Sequence, residues 1–291
     1  MTGQTATEQH LRARLAHLPP EHRAQLAERL RRGRARERPA PDWFVRRGST
    51  DPALRLFCFS YAGGGATVFR SWNDHLPGSV EVCSIQLPGR EHRVGELSYR
   101  RLRPLVTDLQ AAIVPLLDRP FALFGHSMGA LIAFELARQL RRTGLPQPEH
   151  LFLGAFRAPQ LPNPNIRIYR LPDEVLKTVL AKEGTPPDVL DSDELMRALL
   201  PMLRADFELC DTYEYAAEAP LPVPMSIFGG LHDVRVGRAD LEQWNVQADG
   251  EFSLSMLPGS HFFIHGSRDL LLARLTAKLE STATSRGDVP L

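Results

Sequence analysis

A serine hydroxyl is a weak nucleophile until a neighbouring base takes its proton, and an imidazole does that well only when a third group fixes its tautomer. The sequence offers one residue of each kind directly after a short apolar run. Ser127 follows Phe121–Phe124 inside Gly125-His126-Ser127-Met128-Gly129. Asp233 follows Pro224–Phe228 and the pair Gly229 and Gly230. His261 follows Phe252–Met256 and the turn residues Pro258, Gly259 and Ser260. A nucleophile, an orienting acid and a general base in that set do acyl transfer through a covalent intermediate. Asp240 and Asp249 compete for the acid and His232 and His265 for the base, but none stands directly after a strand end.

The elements around these residues explain how they could meet. The run before Ser127 reads as a buried strand, and Leu131, Phe134, Ala137 and Leu140 after it follow a helical period, so the serine stands at a strand-to-helix corner. At so tight a turn Gly125 and Gly129 avoid a Cβ collision, while Ser127 is forced into strained backbone angles. The helix N-terminus behind it offers the Met128 N–H to a developing oxyanion. A second donor is expected in the loop after the early strand Leu54–Phe59, where Ala62 is best placed and Gly63 is the alternative. That loop, Ser60 to Ala66, has three glycines but no following Gly-Lys-Ser/Thr, so it is not a phosphate cradle.

Further strands at Val80–Ile85 and Leu151–Ala155 alternate with helices, Leu102–Leu117 among them. This predicts a mostly parallel central sheet covered on both faces. The chain order Ser, Asp, His on such a sheet is that of the α/β-hydrolase fold. Between Arg157 and Tyr215 the rhythm changes to prolines and two amphipathic helical stretches, a lid insertion over about 157–215. Val175, Leu176, Val179 and Leu180 form one stripe; Leu195, Met196, Leu199, Leu200 and Leu203 form another, opened by Asp191 and Glu194 as a capping box. Leu270–Leu279 closes the fold as a helix, and 281–291 reads as a disordered tail.

At 291 residues, one domain over 43–280 is expected beyond an N-terminal extension, 1–42. Lys plus Arg number 35 against 34 Asp plus Glu, which points to neither nucleic acid nor an anionic membrane. The first 50 residues are basic, with 11 Arg against 5 acids. Leu18, Pro19, Pro20 and Glu21 read as a helix start with Leu26 and Leu30 on one face, either a solvated tail or a docking helix. Three scattered cysteines, Cys58, Cys83 and Cys210, form neither a disulfide framework nor a zinc spacing, and with the first 30 residues polar and charged and no run of 18 apolar residues, neither export nor membrane spanning is expected. A cytoplasmic location is the expectation.

Assembled, these motifs resemble the type II thioesterases that accompany polyketide synthases and nonribosomal peptide synthetases. The residues that carry the resemblance are Phe59 to Gly64, Gln86 to Glu91 (Gln-Leu-Pro-Gly-Arg-Glu), Gly125 to Gly129, Leu200 to Asp206, Gly229 and Gly230 with Asp233, and Gly259 to Phe263. It spans about Trp43 to Leu279. Val234 stands where the family usually has Pro, and the stretch before Trp43 is longer than usual. The resemblance implies hydrolysis of aberrant or stalled acyl groups from the phosphopantetheine arm of acyl or peptidyl carrier proteins; a monomer is the expectation. Ser127, Asp233 and His261 would be the triad, Ala62 and Met128 the oxyanion donors, with no metal or cofactor. A carboxylesterase or lipase, a chain-releasing thioesterase, and a non-enzymatic scaffold docking a synthase through the N-terminal helix remain alternatives. Arg90, Arg93, Arg167 and Arg170 are read as exposed charges for an acidic carrier protein.

Overall fold

A strand that buries every side chain must be covered on both faces, and four six-residue strands of this chain do so. The computed structural model describes residues 43–49, 51–162, 167–182, 185 and 187–287. The N-terminal extension and its expected helix lie outside the described residues. The strands are β1 (Phe44–Arg47), β2 (Leu54–Phe59), β3 (Val80–Ile85), β4 (Phe121–His126), β5 (Leu151–Gly154), β6 (Met225–Gly230) and β7 (Phe252–Leu257). They form one sheet in the order β1-β3-β2-β4-β5-β6-β7, parallel throughout except for β1, which pairs antiparallel with β3.

The parallel register places the site. Phe59 pairs with Gly125, His126 with Gly154, Gly154 with Phe228, and Gly230 with Leu257. The C-terminal ends of β2, β4, β5, β6 and β7 therefore share one edge of the sheet, and every loop carrying a candidate residue leaves from it.

Alternate residues of each strand feed two cores. Phe57, Phe59, Leu123, Leu153 and Ile227 pack with helices α1 (Leu102–Ile113) and α2 (Met128–Arg142) on one face. Leu56, Cys58, Phe124, Phe152 and Phe228 pack on the other with Phe69, Trp72 and the C-terminal helix.

The insertion contributes helices α3 (Asp173–Lys182), α4 (Pro187–Leu190) and α5 (Asp193–Asp211). They share a third core of Leu176, Leu180, Met196, Leu200, Met202, Leu203 and Phe207. The stripes are narrower than expected: Val175 and Leu195 are exposed. The cap also differs. Ser192, not Asp191, precedes α5 and accepts from the Leu195 N–H at 3.3 Å, because a hydroxyl one position later reaches the first free turn.

Short helices α6 (Arg238–Glu242) and α7 (Phe263–Gly266) follow, and α8 runs Arg268–Gly287. The helix thus continues past Ser281, where a disordered tail was expected from 281. Its residues after Leu279 are polar but mostly compatible with helix, and a formed helix extends through such residues at little cost. All three cysteines are free. Among the described residues no helix is long and apolar enough to cross a membrane.

Candidate active site

Steric necessity at the end of β4 sets the position of Ser127. It has φ 54° and ψ −120°, a conformation that L residues rarely adopt. Its N–H donates to the Gly154 carbonyl at 2.7 Å, which ties the corner to β5. A Cβ on Gly125 would stand 2.2 Å from the Gly129 carbonyl oxygen, and one on Gly129 would stand 2.1 Å from that of Phe59. The first turn of α2 therefore lies against the end of β2, which brings the loop after Phe59 alongside the serine.

Two more loops complete the constellation. A Cβ on Gly230 would meet the Ser260 carbonyl oxygen at 2.3 Å, and the His232 N–H donates to the Gly259 carbonyl at 2.9 Å. The loops after β6 and β7 are thereby locked together. His261 Nδ1 lies 2.8 Å from Asp233 Oδ2, and its Nε2 lies 2.9 Å from Ser127 Oγ. The Asp233 side chain is fully buried. Its other oxygen accepts from the N–H groups of Arg235 at 2.8 Å and Val236 at 3.2 Å. Burial pushes the Asp233 carboxyl up, but the bond and charge of His261 with those two N–H donors outweigh it, so its pKa is lowered. In that state Nδ1–H donates to the carboxylate and Nε2 is left to accept from Ser127. Val234 is almost wholly exposed beside these bonds. The loop holds without a proline because the carboxylate itself organises the turn.

His126, singled out by no sequence signal except its place before the serine, supports His261 from behind. Burial, with the nearby His261, depresses its pKa to about 3. The neutral ring therefore donates from Nε2 to the His261 carbonyl at 2.8 Å and fixes the His261 backbone. The competitors act elsewhere. Asp240 accepts from Gly237 N–H, and His265 shares a 2.9 Å hydrogen bond with the Tyr61 hydroxyl.

Ser127, Met128 and Ala62 line a common cavity of about 70 Å³ with Tyr61, Phe156, Phe207, Cys210 and His261. Gly63 contributes differently: its N–H donates to Asp206 Oδ2 of α5 at 2.8 Å. Asp206 also pairs with both terminal nitrogens of Arg90 at 2.8 and 2.7 Å. The expectation that Arg90 and Arg93 are exposed is therefore wrong, since both are 4% exposed. The Arg93 guanidinium lies 4.5 Å over the Trp43 ring, bonds the Gln86 carbonyl and pairs with Glu96. Arg167 and Arg170 are exposed. Among the described residues no cluster of three or more His, Cys, Asp or Glu side chains has the arrangement to hold a metal ion.

Comparison with known proteins bears on this geometry. The family model of the thioesterase domain matches residues 54–279. The chain is 46% identical over 228 residues to the gramicidin S biosynthesis protein GrsT of Aneurinibacillus migulanus, covering 78% of this chain and 89% of that one. Among solved structures, the RedJ thioesterase of the prodiginine biosynthetic pathway in Streptomyces coelicolor superposes with a TM-score of 0.74 at 39% identity, covering 78% of this chain and 86% of that one. The type II thioesterase BorB of the borrelidin biosynthetic cluster gives 0.75 at 32% identity, over 81% and 97%.

Proposed function

Because the chain belongs to the thioesterase family, we propose that it is a stand-alone type II thioesterase. It removes stalled or aberrant acyl groups from the phosphopantetheine arm of acyl or peptidyl carrier proteins in polyketide or nonribosomal peptide biosynthesis. The observation that carries this reading is the continuous line of hydrogen bonds from Ser127 Oγ through His261 to Asp233 at one end of a small cavity of mixed lining. The similarity to BorB, a type II thioesterase, and to RedJ, a thioesterase of a biosynthetic pathway, supports the assignment of role.

Ser127 Oγ attacks the thioester carbonyl carbon as its proton passes to His261 Nε2. Asp233 stabilises the imidazolium so formed. The tetrahedral oxyanion is held by the N–H groups of Met128 and Ala62; Ala62 is the second donor because the Gly63 N–H is committed to Asp206. Collapse breaks the carbon–sulfur bond, and the arm leaves as a thiol with the proton from His261. Water, deprotonated by the same nitrogen, then cleaves the acyl-serine and frees the acid. The cavity of about 70 Å³ accommodates a short acyl group. The protein works in the cytoplasm as a monomer.

The test is release of acetyl or propionyl from a phosphopantetheinylated carrier protein by wild type and Ser127→Ala. Turnover by wild type alone is expected. Cleavage of simple oxygen esters by wild type without release from the carrier protein would sink the carrier-protein assignment and leave a carboxylesterase.

A further inference from the structure

Two sequence motifs, the loop Gln86 to Glu91 and the lid phrase Leu200 to Asp206, contribute nothing to the triad, yet they converge on the loop that carries Ala62. Arg90 donates to Asp206 through both terminal nitrogens and to the Gly64 carbonyl at 3.0 Å. Asp206 in turn accepts the Gly63 N–H across 143 residues of sequence. Ser60 Oγ donates to the same Gly64 carbonyl at 2.7 Å. Gln86, completely buried, accepts from Ala66 N–H at 2.9 Å and donates to the Arg90 carbonyl at 3.0 Å. Residues 60 to 66 are thus held at three backbone groups, the Gly63 N–H, the Gly64 carbonyl and the Ala66 N–H, by polar side chains.

A buried ion pair is poorly explained as a source of stability, because desolvating both charges offsets most of their attraction. This one is not even fully satisfied: Arg90 Nε is buried without a hydrogen-bond partner. Its geometric effect is more specific. Gly63 has φ +82°, and a Cβ there would lie 2.7 Å from Leu203 of α5, so the loop is pressed against the lid helix. The same helix presents Phe207 and Cys210 to the cavity.

We propose that Arg90 and Asp206 are a positioning pair that sets the Ala62 N–H for the oxyanion and makes its placement depend on lid helix α5. The inference rests on the reading of Ser127 as nucleophile and Ala62 as oxyanion donor. Neither side chain lines the cavity; each acts through the backbone of residues 62–64. A misplacement of about 1 Å in such a donor costs on the order of 10²-fold in rate.

The test uses the full-length chain as wild type, Asp206→Asn, and the paired apolar variant Arg90→Met with Asp206→Leu. Measured are Tm, kcat and KM for an acetyl-phosphopantetheine thioester, affinity for a trifluoromethyl ketone that forms a tetrahedral oxyanion on serine, and the end-point stoichiometry of fluorophosphonate labelling at Ser127. The paired variant is expected to keep a Tm near wild type and full labelling, to lose roughly 10- to 100-fold in kcat with KM within about threefold, and to lose ketone affinity in parallel. Recovery of both Tm and kcat in the paired variant would make the pair structural and overturn the proposal. If the paired variant does not fold, the near-isosteric Asp206→Asn decides: a parallel fall in kcat and ketone affinity supports the pair, and unchanged values refute it. Wild type that turns over substrate yet takes no label at Ser127 would instead bring down the underlying site reading.

Discussion

The two sides of the cavity are built on different principles. Around Ser127, position comes from backbone against backbone: Gly125 against Gly129, Gly129 against Phe59, Gly230 against Ser260. Across from it, the lid depends on side chains, with Leu176, Met196 and Phe207 in its own core and the buried Arg90–Asp206 pair. Backbone contacts at glycines have no rotamers with which to adjust, so the Ser127 side is a fixed reference. Side-chain contacts can re-form in a second arrangement, so under the proposed function adaptation to different acyl groups would fall to the inserted helices.

That contrast can be broken most severely at its chemical centre. Asp233→Asn should preserve the fold but lower kcat by about 10⁴-fold, because the amide favours the wrong imidazole tautomer; steady-state hydrolysis of an acyl thioester measures it, and a loss below tenfold would argue that another acid serves. Gly129→Ala places a methyl group on the Phe59 carbonyl, and the fixed side should fail as a unit. We expect at least about 10²-fold loss in kcat together with a lower Tm. Leu176→Ala, at a completely buried lid position, should cost about 2–4 kcal/mol, seen as faster amide exchange in α3 and α5 while β4 and α2 keep their protection. Equal loosening of both regions would erase the distinction.

A further effect is in the pH dependence of stability. His126 is held neutral with a pKa of about 3, below its value of about 6.5 in an unfolded chain. Between those values the unfolded state binds the proton and the folded state does not. Stability is therefore complete above about pH 6.5 and falls toward pH 3, by about 1.4 kcal/mol per pH unit for each such group. His150, depressed by burial to about 4, adds to the same slope. His126→Gln keeps a donor for the His261 carbonyl and should remove about one proton from the slope in urea titrations between pH 5 and 6.5.

Most of the fixed side was legible in the sequence. Ser127, Asp233 and His261 each follow an apolar run, and strand ends in a parallel sheet share one edge, so local patterns sufficed to predict their meeting. Strand β1 was not legible: Phe-Val-Arg-Arg has only two apolar residues, and its arginines occupy an edge where Arg46 pairs with Glu81 of the neighbouring strand. The lid helices could be read from their stripes, but the cap shifted from Asp191 to Ser192. Arg90 and Arg93 were misread because an arginine in a polar loop is usually solvated. Their burial depends on Asp206 and Trp43, partners remote in the chain that no local pattern announces. Asp206 was visible only as part of a motif, without a role.

The sheet order has a consequence for synthesis. In a chain made from its N-terminus, the β2–β4 pairing that carries the serine corner emerges well before β7, and the corner is completed once Gly154 of β5 can accept the Ser127 N–H. His261 follows β7, the edge strand at the far end of the sheet and the last to be made. The proposed nucleophile and base are therefore joined only when this edge strand docks, so under the proposed function the serine would be activated only in the completed fold.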